Sequence, residues 1–329
     1  MTTMRAWQAV AHGALEDVLR LAELPIPVPG HGEVRIRVEA AGINFADTLA
    51  VAGTYQVRSE PPFTPGSEFA GSIDAVGPGV DLAVGTPVVA YAVTGAFAEF
   101  AIAPAAQVFI RPDAYPADAA AAMLITWQTS WFALGPRARL QAGETLLVHA
   151  GTSGVGLAAI QLGRRIGARV IATAGGPDKT AHLRTLGVDL AVDYTGEDFV
   201  AATMAFTDGR GADVIYDPVG GDVADRSLRC IAWNGRHVVI GFASGVIPAF
   251  AGNRIMLKNI SVVGLHWPPC LEREPELVRT GQAAITRAYL AGEADPDIGE
   301  RYGLVDLPKA LTALRDRRAR GKLIVLPNR

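Results

Sequence analysis

The sequence of 329 residues predicts an α/β chain of two domains, one β-rich and barrel-like, the other a doubly wound parallel sheet inserted into it. Three observations predict this. The length exceeds what one hydrophobic core usually organises. The stretch up to about residue 115 is a series of short β-prone runs cut by Gly and Pro, whereas strand and helix patterns alternate from about Ala117 onward. The tail beyond Trp267 then abandons that alternation. The expected boundaries are 1–122 for the first part of the β-rich domain, 123–267 for the insertion and 268–329 for the returning chain.

Each element follows from its residues. "EVRIRVEAAGI", "EFAGSIDAVGPGV", "TPVVAYAV" and "AFAEFAIAPAAQV" carry β-branched, aromatic or alternating apolar residues between turn formers. "ADAAAAMLITWQTSWFALGPRA" has helical apolar spacing. Strands are then expected at Thr145–His149, Arg169–Thr173, Leu190–Val192, Asp213–Tyr216 and Arg236–Ile240, with helices between, as in a parallel sheet. "NRIMLKNISVVGLHW", Asn253–Trp267, reads as a β-prone run with no helix after it. An unpaired edge of that kind predicts a homodimer joined through roughly Arg254 to Gly264. "EPELVRTGQAAITRAYLAGE" and "DLPKALTALRDRRARG" read as amphipathic helices, and "GKLIVLP" as a closing strand.

Composition excludes several classes. Thirty Lys and Arg against 33 Asp and Glu give a net charge of -3, with no broad footprint for nucleic acid or an anionic membrane. The two cysteines, Cys230 and Cys270, supply neither a disulfide framework nor a cysteine-rich metal site. The start lacks the basic-then-apolar pattern of a secretory leader. Ala117–Leu134 is interrupted by Asp118, Thr126, Gln128 and Ser130, which argues against a membrane span. The expectation is a cytoplasmic protein without membrane or nucleic-acid partners.

The sharpest motif is "LLVHAGTSGVGLAAIQLGRRIGARVIATAGG". It reads as strand, glycine turn, helix and second strand, the context of a dinucleotide-binding Rossmann turn. Gly151 and Gly156 take the outer glycine places, Ser153 stands at the middle one, and Gly154 follows it. The pyrophosphate would sit on amides at the start of the helix, around Gly154 and Val155. A P-loop is excluded because no Gly-Lys-Ser/Thr ending follows. An NAD site would place an acid at the end of the second strand, but Gly175 and Gly176 stand there. Without that carboxylate a 2′-phosphate is not repelled; Lys179 can supply a cation and Tyr194 a hydroxyl or ring. NADPH is therefore favoured over NADH. Lys179 alone would read equally well as a solvated lysine at a helix start, and His149 as a packed core histidine.

Together these segments resemble the zinc-independent NADPH:quinone oxidoreductase family of the medium-chain dehydrogenase/reductase superfamily. "AAGINFADTLAVAGTYQV", "PFTPGSEFAGSIDAVGPGV", "ETLLVHAGTSGVGLAAIQL", "GADVIYDPVGGD", "NGRHVVIGFASG" and "GKLIVLP" carry the resemblance over nearly the whole chain. It implies a GroES-like catalytic domain, an inserted Rossmann domain, a cleft between them and a homodimer. It also implies Asn44 beside the nicotinamide, Tyr55 at the mouth of the substrate cleft, Thr129 on the nicotinamide side, and Gly241, Phe242 and Ala243 along the cofactor. Ser153 departs from a glycine common in the family's turn, and Leu49 stands where some relatives carry a tyrosine.

The residues argue independently against zinc. Near the catalytic positions the chain offers Asn44, Ser67 and Glu68, and no Cys precedes Cys230. Without a Lewis acid, hydride transfer suits an acceptor that is already electron-poor, a quinone or a C=C conjugated to a carbonyl. Three functions stay open: a quinone reductase, an enoyl or acyl-CoA (or enone) C=C reductase, and a non-catalytic NADPH-binding protein. Arg58 keeps the acyl-CoA option open. Tyr55 is weighed as proton donor against a cleft wall, and Asp47 as a structural hydrogen-bond partner.

Overall fold

The computed structural model describes residues 2–329. Contacts divide the chain into two units, one running to Ile125 and resuming at Glu274, the other Thr126–Arg273. The divisions fall a few residues beyond Ala122 and Trp267. One helix, Ala117–Phe132, runs unbroken across the first, so no turn residue marks it.

The first unit opens with an antiparallel pair, β1 (Thr3–Ala9) and β2 (Leu19–Pro25), with the short helix α1 (Leu15–Val18) between them. Then follow β3 (Glu33–Ile43), α2 (Phe45–Ala52), β4 (Glu68–Val76), β5 (Pro87–Tyr91), β6 (Phe100–Pro104), β7 (Val108–Ile110) and α3 (Ala117–Phe132). Strand β3 shows why the pattern works. Val34, Ile36 and Val38 point into the core, while Arg35 and Arg37 point outward to Asp74 on β4. Past Ala40 both of its faces are covered, and the strand becomes apolar throughout.

The second unit contains β8 (Thr145–Val148), α4 (Gly154–Ile166), β9 (Arg169–Ala174), α5 (Pro177–Thr185), β10 (Leu190–Asp193), α6 (Phe199–Phe206), β11 (Ala212–Asp217), α7 (Gly221–Ser227), β12 (Ile231–Val239), α8 (Gly252–Leu257) and β13 (Ser261–Gly264). Its six strands are all parallel, in the order β10-β9-β8-β11-β12-β13. Order reverses between β8 and β11, the point where open sheets of this kind bind ligands beyond their strand ends. Helices cover both faces, so Thr145, Leu146, Leu147 and Val148 are all buried.

One expectation is corrected. Residues 253–257 are not β but lie in α8, and only Ser261–Gly264 is strand. The apolar run Ile255-Met256-Leu257 suits either state, and Asn259 at φ 51° ends the helix before the strand starts. The strand that remains, β13, does lie on the sheet edge.

The chain then adds α9 (Cys270–Arg273) and re-enters the first unit with α10 (Pro275–Leu290), β14 (Ile298–Gly303), α11 (Leu307–Arg315) and β15 (Lys322–Leu326). Strand β15 inserts between β14 and β3, completing a sheet of order β14-β15-β3-β4-β5-β7, with β6 also paired to β3. Among the described residues no helix is long and apolar enough to cross a membrane.

Candidate active site

In the second unit the glycine turn is built as its sequence suggests. An ideal Cβ on Gly156 would fall inside the Ala150 carbonyl oxygen and 2.9 Å from Gly151 Cα, so only glycine lets α4 pack this close to the loop after β8. Ser153 explains its own departure from glycine. Its backbone lies at φ -79°, ψ 160°, open to any residue, and it caps α4: its Oγ accepts from Gly156 N at 3.2 Å and donates to Ala150 O at 2.7 Å. The amides of Gly154 and Val155 remain in the first helical turn, where a helix offers donors and positive potential to an anion.

The end of the second strand carries no acid. Instead, Tyr194 lies over Gly175, so close that a Cβ there would sit 2.7 Å from the tyrosine oxygen. Gly176 N–H is held by Asp193 Oδ1 at 2.8 Å, and the same oxygen accepts from Thr195 N and Oγ1. These donors hold the Asp193 carboxyl below its ordinary value. Lys179 lies in the first turn of α5, directly after this loop. The structure thus brings Gly175 and Tyr194 together, with Asp193 as an organiser that sequence reasoning missed. Its signal was an acid at the end of the third strand.

Gly241, Phe242 and Ala243 form the loop after β12. That loop is tied to the one after β11 by Ala243 N to Pro218 O at 3.0 Å and Ser244 N to Val219 O at 2.9 Å. Asp217 fixes the latter: Oδ1 accepts from Val219 N and Gly220 N, and Oδ2 meets His237 Nε2 at 3.1 Å in a fully enclosed pair. Nearby, His149 is a packed core histidine between Thr173 and Ser227, and burial pushes it down to about 4, so it stays neutral near pH 7. Thr129 is half-buried on α3; Trp127 and Trp267 are core.

Asn44 and Tyr55 belong to the first unit, near the two ends of α2. Asn44 precedes the helix, and its N–H donates to Asp47 Oδ2 at 2.7 Å, so Asp47 is a structural hydrogen-bond partner. Burial pushes the Asp47 carboxyl up to about 7, against that hydrogen bond. Burial also raises the phenols of Tyr55 and Tyr91, with the Asp47 charge adding to both. Leu49 lies on α2, where its carbonyl receives Tyr55 N–H.

The Asn44 side chain turns to a buried ion pair that sequence reasoning did not assemble. Lys322 Nζ lies 2.8 Å from Glu68 Oε2 and 2.7 Å from Asn44 Oδ1, while Asn44 Nδ2 donates to Glu68 Oε2 at 2.7 Å. Glu68 Oε1 accepts from Ile125 N at 2.8 Å.

A doubly wound unit with a dinucleotide-type glycine turn, joined to a β-rich unit with such a polar centre, has clear counterparts. Residues 30–113 match the alcohol dehydrogenase GroES-like domain and residues 154–282 the zinc-binding dehydrogenase domain. The chain is 34% identical to bovine (Bos taurus) quinone oxidoreductase-like protein 2, over 98% of this chain and 93% of that one. The Escherichia coli quinone oxidoreductase, solved in complex with NADPH, superposes with a TM-score of 0.92 at 28% identity, covering 98% and 100% of the two chains. The enoyl reductase CurK superposes at 0.87 and 26% identity, covering 98% and 99%. The chain belongs to the quinone oxidoreductase family of the medium-chain dehydrogenase/reductase superfamily.

Zinc, which the second domain description names, does not fit the residues present. The centre holds an ammonium group, a carboxamide and one carboxylate already engaged by three donors. Among the described residues no group of three His, Cys, Asp or Glu side chains could hold a metal.

Proposed function

We propose that this protein is an NADPH-dependent reductase that acts, without zinc, on a quinone or another conjugated carbonyl acceptor. The observation that carries the reading is the acid-free end of β9, Gly175 and Gly176, roofed by Tyr194 and followed by Lys179. NADPH supplies the hydride when bound. The chain's own residues bind and orient it. The amides of Gly154 and Val155, in the turn shaped by Gly151, Ser153 and Gly156, take the pyrophosphate. Gly175, Lys179 and Tyr194 accept the 2′-phosphate, and the pinned loop Gly241-Phe242-Ala243 with Thr129 serves the nicotinamide half. Asn44 positions the reacting groups. Tyr55, whose raised pKa keeps its proton in place, walls the acceptor site, and water completes the protonation.

The likeness to CurK favours one second reading, reduction of an enoyl C=C by the same residues. NADPH oxidation measured against 1,4-benzoquinone, 3-buten-2-one and crotonyl-CoA separates the two. Turnover of the quinone alone supports the first reading, and preference for the enoyl thioester the second. Tight NADPH binding with no turnover of any acceptor would leave a non-catalytic NADPH-binding protein. The edge position of β13 supports a homodimer pairing through that strand. A monomer by light scattering at micromolar concentration refutes the dimer. A cytoplasmic location, where the thiols of Cys230 and Cys270 would stay reduced, is part of the same proposal.

A further inference from the structure

We infer that Lys322 and Glu68 are positioning residues that lock the Asn44 carboxamide in one orientation, so that it meets its ligand as a hydrogen-bond donor. The inference rests on the reading above, in which Asn44 positions the reacting groups. β15 pairs with β3 at Leu323↔Ile43, and β3 pairs with β4 at Gly42↔Glu68, so the ends of three adjacent strands bring Lys322, Asn44 and Glu68 together. Gly42 leaves the room. A Cβ there would sit 2.8 Å from Glu68 Oε2 and collide with the Ala121 carbonyl.

The chemistry then fixes the amide. An ammonium only donates and a carboxylate only accepts. Asn44 Oδ1 faces the ammonium at 2.7 Å and Nδ2 faces the carboxylate at 2.7 Å. A flip would press NH2 against NH3⁺ and a carbonyl oxygen against a carboxylate. Both enforcing groups are out of water, with side-chain exposures of 3% for Lys322 and 0% for Glu68, so neither conflict would be screened. Asn44 itself is only half-buried. One of its two Nδ2 protons goes to Glu68; the other is left to donate. Polarised by Lys322 on the carbonyl side, that N–H suits an oxygen carrying or developing negative charge, such as the enolate or quinol oxygen of a reduced acceptor.

The test separates orientation from packing. Lys322→Met alone strands a buried carboxylate, so the paired variant Lys322→Met/Glu68→Gln, which removes both charges, is compared with Asn44→Ala and with the triple variant. NADPH affinity is read by fluorescence, kcat and KM with 1,4-benzoquinone and 3-buten-2-one. The paired variant should unfold cooperatively, hold NADPH within about twofold, and lose at least tenfold in kcat, about 1.4 kcal/mol. Its loss should not add to that of Asn44→Ala, because both act through one amide. Wild-type kcat in the paired variant, or losses that multiply in the triple variant, would overturn the inference. In parallel, the Asn44 side-chain amide signals, assigned by their disappearance in Asn44→Ala, should be resolved and slow to exchange with D2O only while the ion pair is intact. Equal exchange in wild type and paired variant would also overturn it. If wild type reduces neither probe, the reading as a reductase of quinones and enones falls, and the amide signals still decide whether the lock exists.

Discussion

Replacing Gly156 by Ala tests the glycine turn at its tightest point. The added methyl would lie 2.9 Å from Gly151 Cα and closer still to the Ala150 oxygen. Carbon atoms pack at about 3.5–4.0 Å, so α4 must retreat by roughly 0.6 Å or more. Both obstacles are backbone, so no rotamer change relieves them, and Ala150 already sits at a positive φ of 49°. Overpacking of this kind costs about 1–3 kcal/mol. For a domain of this size that is a fall of roughly 2–12 °C in Tm. The same retreat moves the first-turn amides away from the pyrophosphate, and loss of about 1.4 kcal/mol there weakens NADPH tenfold. Ser153→Gly provides the control. Its backbone suits any residue and glycine replaces a serine cap at a cost of only a few tenths of a kcal/mol, so stability and NADPH affinity should stay close to wild type. Thermal denaturation and fluorescence titration measure both. A Gly156→Ala protein with wild-type Tm and wild-type NADPH affinity would refute the close-packing argument.

Other substitutions probe other parts of the site. Asp47 ionises near 3.8 when unfolded but at about 7 when folded, so the native state holds its proton longer and stability falls as pH rises from about 4 to about 7. The three-unit gap is worth about 4 kcal/mol; urea unfolding should show wild type losing that much against Asp47→Asn across the window, and parallel profiles would contradict it. Lys179→Ala should weaken NADPH about tenfold and leave NADH nearly unchanged, whereas equal weakening of both would remove Lys179 from the 2′-phosphate site. Asp217→Asn should weaken NADPH while sparing 2′,5′-ADP, because Asp217 fixes the loop after β11, to which the loop Gly241-Phe242-Ala243 that serves the nicotinamide half is tied; equal loss of both ligands would count against that division.

What the sequence made legible was mostly local. The turn from Gly151 to Gly156 works through atoms a few residues apart, and the strand–helix alternation around it repeats over short distances. The same locality misled at Ile255-Met256-Leu257, where three apolar residues satisfy a strand or a helix; in the folded chain only Ile255 packs on the second unit's core, while Met256 and Leu257 are exposed. The ion pair was invisible for the opposite reason. Lys322 and Glu68 lie 254 residues apart and meet only because β15 slots beside β3 in the finished sheet.

A trace of it was nevertheless present. "GKLIVLP" places a lysine at the head of an apolar strand, and "SEFAGSI" places a glutamate at the head of another. A charge carried into a core must find its opposite there, since breaking such a pair leaves the survivor unpaired at a cost of about 3–5 kcal/mol. Lysine on a strand that enters the core therefore demands a carboxylate similarly placed. Glu68 meets that demand, with Asn44 lying between the two in the folded chain. Considered as a metal ligand, Glu68 lacks companions. Considered as the partner of a buried cation, it has one, and the amide held between them acquires a direction that no property of Asn44 alone would give it.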